Sequence, residues 1–241
     1  MYSERTSRED SCHESRLAMG LQQHHKELIT ATILAGGKSS RMGTDKALIP
    51  INGRPLIAQI YQVARACADE VWVITPWIER YQGVLPNNCC FIEEVPLAGG
   101  ELNHGPLVGF YQGLSRVETE WVLLLACDLP CLSSQELLDW CRYLPEVDEE
   151  VIALLPRNSK GWEPLCGFYR RGCLSSLAKF IDGGGRSFQK WLAQQQVQEL
   201  IVSNPQILFN CNTPEDLRKV RDYSYYSRLQ INEVHSSKAN S

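Results

Sequence analysis

From residue 29 to residue 46 the chain reads Ile29-Thr-Ala-Thr-Ile-Leu-Ala-Gly-Gly-Lys-Ser-Ser-Arg-Met-Gly-Thr-Asp-Lys46. The β-branched run at its start predicts a buried strand over residues 29–35, which ends at Gly36-Gly37. A strand that leads into a glycine-rich loop exposes backbone N–H groups, and glycine lets the main chain approach a ligand where a Cβ would clash. The loop therefore suits a phosphate group or a nucleobase, and Arg41 and Lys46 could neutralise triphosphate oxygens at the same place.

Two familiar phosphate-binding motifs do not fit this loop. A Walker A motif ending at residues 37–39 would need glycine where Thr32 stands, and a G-x-G-x-x-G motif starting at Gly36 would need glycine where Lys38 stands. The competing interpretation of the segment is a glycine-rich turn with ordinary solvated charges.

Short apolar runs alternate with helical patterns along the rest of the chain, which is typical of βαβ units and a mainly parallel sheet. The nearly continuous apolar run at 121–127 predicts a central strand buried on both faces. We predict one α/β domain of three layers, with helices on both faces of the sheet and the site along the carboxyl ends of the strands. Strands are predicted at 29–35, 71–75, 90–93, 121–127, 151–155, 165–170 and 207–210, and helices beginning near 55, 107, 133, 173, 187 and 213.

Composition limits the class of protein and its surroundings. The formal charge of -4, with Lys and Arg scattered along the sequence, provides no basic stripe, so we expect no nucleic-acid partner. No apolar run approaches the roughly 20 residues that cross a bilayer, so we expect no membrane partner. The chain is long and has no apolar segment resembling a signal peptide, so we interpret its ten cysteines as reduced thiols and expect a cytoplasmic location. No C-x-x-C pair occurs, so we do not expect structural zinc.

The two ends of the chain differ from its centre. Residues 1–27 and 223–241 are polar without a core pattern, and they predict a disordered leader and a polar tail around a domain at 28–222. Met19 leaves open a later translation start.

An aspartate follows the predicted central strand in Cys127-Asp128-Leu129-Pro130. Ligands of open α/β sheets bind outside the carboxyl ends of strands, and a carboxylate there can hold Mg²⁺ against triphosphate oxygens. We predict Asp128 as the metal ligand, although an aspartate shortly before a proline is equally compatible with a simple loop.

Two further segments carry candidate binding groups. Gly105 and Gly109 in His104-Gly-Pro-Leu-Val-Gly109 could open a helix beside a nucleobase, or could form a plain Gly-Pro turn before a helix. In Phe209-Asn-Cys-Asn-Thr-Pro-Glu-Asp216, helix capping explains Thr213 but not two asparagines on one face of an extended run. Asn212 is therefore a candidate for binding a polar acceptor.

Taken together, these segments resemble the molybdenum cofactor guanylyltransferases, whose signature is L-A-G-G-x-S-x-R-M-G-x-D-K. The family's G-P-L-x-G, C-D-x-P and N-x-N-T-P-E-D stretches also match, in the family's order along the chain. The resemblance therefore covers about residues 29–220. It implies a nucleotide-diphospho-sugar-transferase-like, Rossmann-type fold. It also implies nucleotide contacts by Leu34, Ala35, Gly36, Gly37, Lys46, Glu94, Gly105, Pro106, Leu107 and Asp128.

The resemblance further implies a reaction. GMP would pass from GTP to the terminal phosphate of molybdenum-molybdopterin with release of pyrophosphate, while Asp128 binds Mg²⁺ and Arg41 and Lys46 steady the leaving group. The backbones of the loops at 34–36 and 105–107 would read the guanine edge. Glu94 departs from the family, which usually has an aspartate there. Partners could include other molybdenum cofactor biosynthesis or acceptor proteins.

Three alternatives stay open. The chain could transfer a cytidylyl group to the same pterin, or a nucleotidyl group to a sugar phosphate. It could also be a nucleotide-binding regulatory or carrier module. Asp128 together with Lys46 argues against the last, because binding alone needs neither a metal carboxylate nor a cation for a leaving group.

Overall fold

The computed structural model describes residues 29–37, 44–97 and 105–220. The strands of its main sheet are β1 Ile29–Leu34, β2 Glu70–Thr75, β3 Cys90–Glu93, β4 Trp121–Ala126, β5 Ala153–Leu155, β6 Cys166–Arg170 and β7 Val197–Glu199. The helices are α1 Leu56–Ala64, α2 Ile78–Tyr81, α3 Pro106–Leu114, α4 Ser134–Cys141, α5 Leu174–Asp182 and α6 Phe188–Leu192. A further helix, α7, occupies 214–220 at the end of the described part.

The sheet has seven strands in the order β7-β5-β6-β4-β1-β2-β3. Strands β4, β1, β2 and β3 pair in parallel, as do β5 and β7. Strand β6 pairs antiparallel with both β4 and β5. The prediction of a mainly parallel sheet is confirmed, with one reversed strand that apolar periodicity does not reveal.

Strand β4 lies at the centre and divides the core in two. Trp121, Leu123 and Leu125 pack into a cluster with residues of α1 and α4, while Val122 and Leu124 pack into a second cluster with α3, α5 and α6. All five side chains are buried. Because a buried apolar face of each helix meets each face of the sheet, the hydrophobic effect alone favours the three-layer arrangement.

The predicted last strand at 207–210 is wrong. This segment instead contains the short 3-10 turn Pro205–Leu208, which begins where the Asn204 side chain accepts a hydrogen bond from the backbone N–H two residues on, at 3.0 Å. Asn-Pro is turn chemistry, and it overrides the short apolar run. Strand β7 was not predicted because two of its three residues, Val-Gln-Glu, are polar. Polar residues are suited to β7, which lies at the edge of the sheet.

The predicted leader at 1–27 and the predicted tail at 223–241 lie outside the described residues. Within the described ranges, no helix is long and apolar enough to cross a membrane.

Candidate active site

A cavity of about 290 Å³ lies where the loops that follow β1 and β4 meet. Parallel strands point their carboxyl ends at the same edge of a sheet, so loops far apart in sequence converge there. The cavity is lined by the predicted residues Leu34, Ala35, Gly36, Gly37, Lys46, Glu94, Gly105, Pro106 and Asp128. Residues that sequence reasoning did not single out also line it: Asp45, Tyr81, Cys127, Leu165 and Asn210 among them.

Asp128 lies at the centre of a polar cluster. Lys46 Nζ donates hydrogen bonds to Asp128 Oδ2 at 2.6 Å and to Asn212 Oδ1 at 2.9 Å. The ion pair is largely shielded, with side-chain exposures of 17% for Lys46 and 15% for Asp128. The backbone N–H of Cys211 donates to the Asp128 carbonyl at 3.0 Å, which holds the segment before α7 against the end of β4.

A second set of contacts positions Lys46. Lys46 begins a single 3-10 turn, Lys46–Leu48, and the Asp45 side chain caps that turn by accepting from Ala47 N at 3.1 Å. The hydroxyl of Tyr81, on α2, donates to Asp45 Oδ2 at 2.9 Å. Burial, together with the hydrogen bond to Asp45, raises the pKa of Tyr81 and keeps the hydroxyl protonated as a donor. A tyrosine in a four-residue helix carries no sequence signal for such a role.

The backbone of Ala35 is already engaged by the protein. Its N–H donates to the Ile74 carbonyl at 2.9 Å, and its carbonyl accepts from Thr75 Oγ1 at 2.9 Å, while the Tyr81 hydroxyl, whose hydrogen is directed to Asp45, lies 3.3 Å away. The Ala35 N–H is therefore occupied in this structure, and a contact between the Ala35 backbone and a base stays a prediction. The backbone of Gly36 has no hydrogen-bond partner among the described residues, so it is better placed to meet a ligand.

The carboxyl group of Glu94 lies between two glycines at the cavity wall. A Cβ on Gly36 would come within 2.7 Å of Glu94 Oε2, and one on Gly109 within 3.4 Å of Glu94 Cδ. Burial raises the pKa of Glu94. The two glycines thus provide the space that the longer glutamate side chain occupies.

Three predicted site residues are not among those that line the cavity. Leu107 lies on the buried face of α3. Its side chain packs into the core against the sheet, so it does not line the cavity. Asn212 contacts Lys46, and it is the neighbouring Asn210 that lines the cavity. Arg41 lies outside the described residues.

The cluster around Asp128 contains one polar atom that the described residues do not satisfy. Asp128 Oδ1 is buried and accepts no hydrogen bond among the described residues. An unsatisfied buried carboxylate oxygen is costly, and a hard divalent cation would satisfy it. The described residues contain no group of three or more His, Cys, Asp or Glu that could hold an ion. A metal here would therefore need other ligands, such as phosphate oxygens and water.

The chain has a three-layer α/β fold, with a glycine-rich loop and a paired lysine and aspartate at the carboxyl edge of its sheet. This combination defines a nucleotidyltransferase. Residues 31–200 match the MobA-like NTP transferase domain. The chain is 54% identical over 193 residues to the probable molybdenum cofactor guanylyltransferase of Nostoc sp., covering 80% of this chain and 90% of that one. It therefore belongs to the molybdenum cofactor guanylyltransferase family.

Solved structures share the fold at lower identity. Molybdopterin-guanine dinucleotide biosynthesis protein A of Archaeoglobus fulgidus superposes with a TM-score of 0.66 at 20% identity, covering 82% of this chain and 99% of that one. A manganese complex of a Mycobacterium tuberculosis protein superposes with a TM-score of 0.59 at 18% identity, covering 81% and 98%.

Proposed function

We propose that the chain transfers GMP from GTP to the terminal phosphate of molybdenum-molybdopterin, forming molybdopterin guanine dinucleotide and releasing pyrophosphate. The observation that carries this proposal is the meeting of Lys46, Asp128 and the Gly36 backbone at one cavity. The names of the family's members supply the identity of the two substrates.

In this reaction an oxygen of the acceptor phosphate forms a bond to the α-phosphorus of GTP. The bond from that phosphorus to the oxygen bridging the β-phosphate breaks, and the electron pair leaves with pyrophosphate. No covalent enzyme intermediate is needed, so catalysis rests on positioning and on charge. Lys46, together with Arg41, stabilises the departing pyrophosphate, and the loop at 36–37 holds the triphosphate.

The proposed cofactor is Mg²⁺, held by Asp128. When bound, the ion supplies neutralising charge for the triphosphate oxygens. The buried Oδ1 atom of Asp128, which lacks a hydrogen-bond partner among the described residues, supports this assignment. The manganese complex of a protein with the same fold supports a divalent cation in general.

The nucleotide itself would lie along Leu34, Gly36, Glu94, Gly105 and Pro106. Gly105 has a φ of 80°, a left-handed conformation that favours glycine, and it precedes the first residue of α3. The proline at the first helical position has no N–H and has a backbone φ suited to the start of a helix. We also propose a cytoplasmic location, since a chain with ten cysteines is suited to a reducing compartment.

The test is release of pyrophosphate, measured with each of the four nucleoside triphosphates, without an acceptor, with molybdopterin, or with a sugar phosphate in its place. We expect release only with GTP and acceptor together. Release with CTP would assign the chain to cytidylyl transfer, and release with a sugar phosphate as acceptor would assign it to that class. No release under any of these conditions, with nucleotide still bound, would indicate a regulatory or carrier module.

A further inference from the structure

A second cavity, the side cavity, has a volume of about 400 Å³, and some of its lining residues are close in sequence to residues that line the active site. Glu163 and Phe209 line the side cavity, whereas Leu165 and Asn210 line the catalytic one. Because these residues are one or two positions apart in the chain, and successive Cα atoms are about 3.8 Å apart, the two cavities lie close together in the fold. A ligand with two chemically different ends could therefore reach both.

The side cavity has an apolar side and a polar side. Leu200, Leu208 and Phe209 contribute the apolar surface, while Arg157, Asn158 and Glu163 contribute polar groups. A flat ring with hydrogen-bonding groups along one edge suits such a lining.

The polar side is held in place by a hairpin formed by Arg157–Asn158 and Gly161–Trp162. Gln189 on α6 fixes this hairpin: its Nε2 donates to the Trp162 carbonyl at 2.6 Å, and its Oε1 accepts from Trp162 N at 3.2 Å. The Arg157 guanidinium lies 5.1 Å from the centroid of the Trp162 ring. The hairpin is thus pre-organised, which lowers the entropic cost of binding.

Glu163 has an unused hydrogen-bonding capacity in this wall. Its Oε1 accepts from Asn158 Nδ2, and its Oε2 accepts no hydrogen bond among the described residues. Burial raises the pKa of Glu163, Lys160 opposes the shift, and the negative charge of Asp128 adds to it.

We propose that the side cavity binds the pterin ring of the acceptor, with Glu163 accepting hydrogen bonds from the ring N–H and the amino group of its 2-amino-4-oxo edge. This inference rests on the proposed function, which supplies a pterin as the acceptor. A carboxylate matches two adjacent donors, as it does in bidentate pairs. In the side cavity the positive charge of Arg157 offsets part of the negative charge of Glu163 and Glu199, so the proposed reaction, rather than repulsion, places the phosphate of the acceptor at Lys46 in the catalytic cavity.

The first experiment measures binding of two metal-free probes by fluorescence titration. The probes are pterin and lumazine, a pteridine in which a carbonyl replaces the amino group. We expect the wild-type protein to bind pterin at least about tenfold more tightly than lumazine, and Glu163→Gln to lose this preference. Glu149→Gln, on an exposed loop, is the matched control and should behave as wild type. Equal preference in wild type and Glu163→Gln, or no pterin binding, would overturn the proposal.

The second experiment separates this inference from the proposed function. In pyrophosphate release with GTP and molybdopterin, Glu163→Gln should raise KM for the acceptor about tenfold or more, with kcat and KM for GTP nearly unchanged. If wild type releases no pyrophosphate, the proposed function fails. If wild type is active and Glu163→Gln retains its acceptor KM, only the side cavity is wrongly assigned. An unchanged melting temperature and GTP response show that the variant is folded.

Discussion

Lys46 is the cation that the fold brings to Asp128, and its role can be tested at the level of one side chain. Lys46→Ala should weaken GTP binding about tenfold or more, because a charge-assisted hydrogen bond contributes roughly 1.5 to 3 kcal/mol. Calorimetric titration with GTP measures the change, and Lys179→Ala, on the exposed surface of α5, is the matched control. Unchanged GTP affinity in Lys46→Ala would show that the lysine does not contact the triphosphate.

Asp128→Asn tests the proposed metal site while preserving side-chain shape. The amide can still accept a hydrogen bond from Lys46, but it is a poor ligand for a hard cation. We expect turnover to fall far more than GTP affinity does. Asp182→Asn, exposed at the end of α5, controls for loss of a carboxylate elsewhere. Near-normal turnover of Asp128→Asn at ordinary Mg²⁺ concentrations is incompatible with the assigned role.

The buried carboxyl group of Glu94 should make the stability of the protein depend on pH. Burial raises the pKa of Glu94 above its ordinary value of 4.5, so the folded chain holds this proton more tightly than the unfolded chain. Stability therefore falls as the pH rises from 4.5 through the raised pKa. Glu94→Gln removes this loss, so it should melt higher than wild type at neutral pH, and the gain should shrink as the pH approaches 4.5.

Melting curves across this pH range test the Glu94 prediction. Glu93→Gln, whose side chain is exposed on β3, is the matched control. A Glu94→Gln protein that melts at or below the wild-type temperature at neutral pH would refute the assignment of a costly buried carboxyl.

At the scale of elements, the reversed strand β6 depends on a glycine. A Cβ on Gly167 would lie 2.7 Å from the backbone oxygen of Leu154 and 2.7 Å from Leu155 Cδ2. Strand β5 cannot move away without breaking its pairing with β6, so we expect Gly167→Ala to destabilise the protein by about 1 to 3 kcal/mol. Urea unfolding measures this change. Gly172→Ala, where a Cβ would meet nothing within 4 Å, should change stability little.

The start of α7 shows how an element serves the site. Thr213 Oγ1 accepts from Asp216 N at 3.2 Å, and Asp216 Oδ2 accepts from the backbone N–H of Asn212 at 3.0 Å and of Thr213 at 2.9 Å. These are the reciprocal bonds of a capping box. The side-chain hydrogen bond of Thr213 is the main reason that the pKa of Asp216 is lowered. The cap thereby directs the Asn212 side chain toward Lys46.

At the scale of the whole molecule, a preference for guanine should be measurable as a difference in melting temperature between nucleotides. A ligand that binds only the native state raises the melting temperature with its concentration. With Mg²⁺ present, GTP should stabilise the protein at concentrations where CTP has no effect. Each buried polar group left unpaired by the wrong base costs roughly 1 to 3 kcal/mol, so two mismatches give discrimination on the order of a hundredfold.

Titrations with GMP and CMP separate recognition of the base from binding of the triphosphate. We expect the preference for guanine to persist in the monophosphates. Equal or greater stabilisation by CTP would favour cytidylyl transfer, while leaving the fold and the role of Asp128 unchanged.

The sequence by itself determined most strands, the glycine-rich loop, the position of Asp128 after the central strand, and the family. These features depend on local patterns: apolar runs, turn residues and short motifs need no knowledge of distant partners. The same reliance on local pattern produced the wrong strand at 207–210, where turn chemistry prevailed over an apolar run.

Only the tertiary structure decided which side chains meet. Lys46 contacts Asp128 across 82 positions and Asn212 across 166, and Tyr81 reaches Asp45 across 36. The direction of β6 and the presence of the side cavity could not be predicted from the sequence either. Apolar periodicity specifies which face of an element is buried, but strand order and direction follow from packing of the whole chain. The composition of the site depends on that packing, because its residues come from loops that only the assembled sheet brings to one edge.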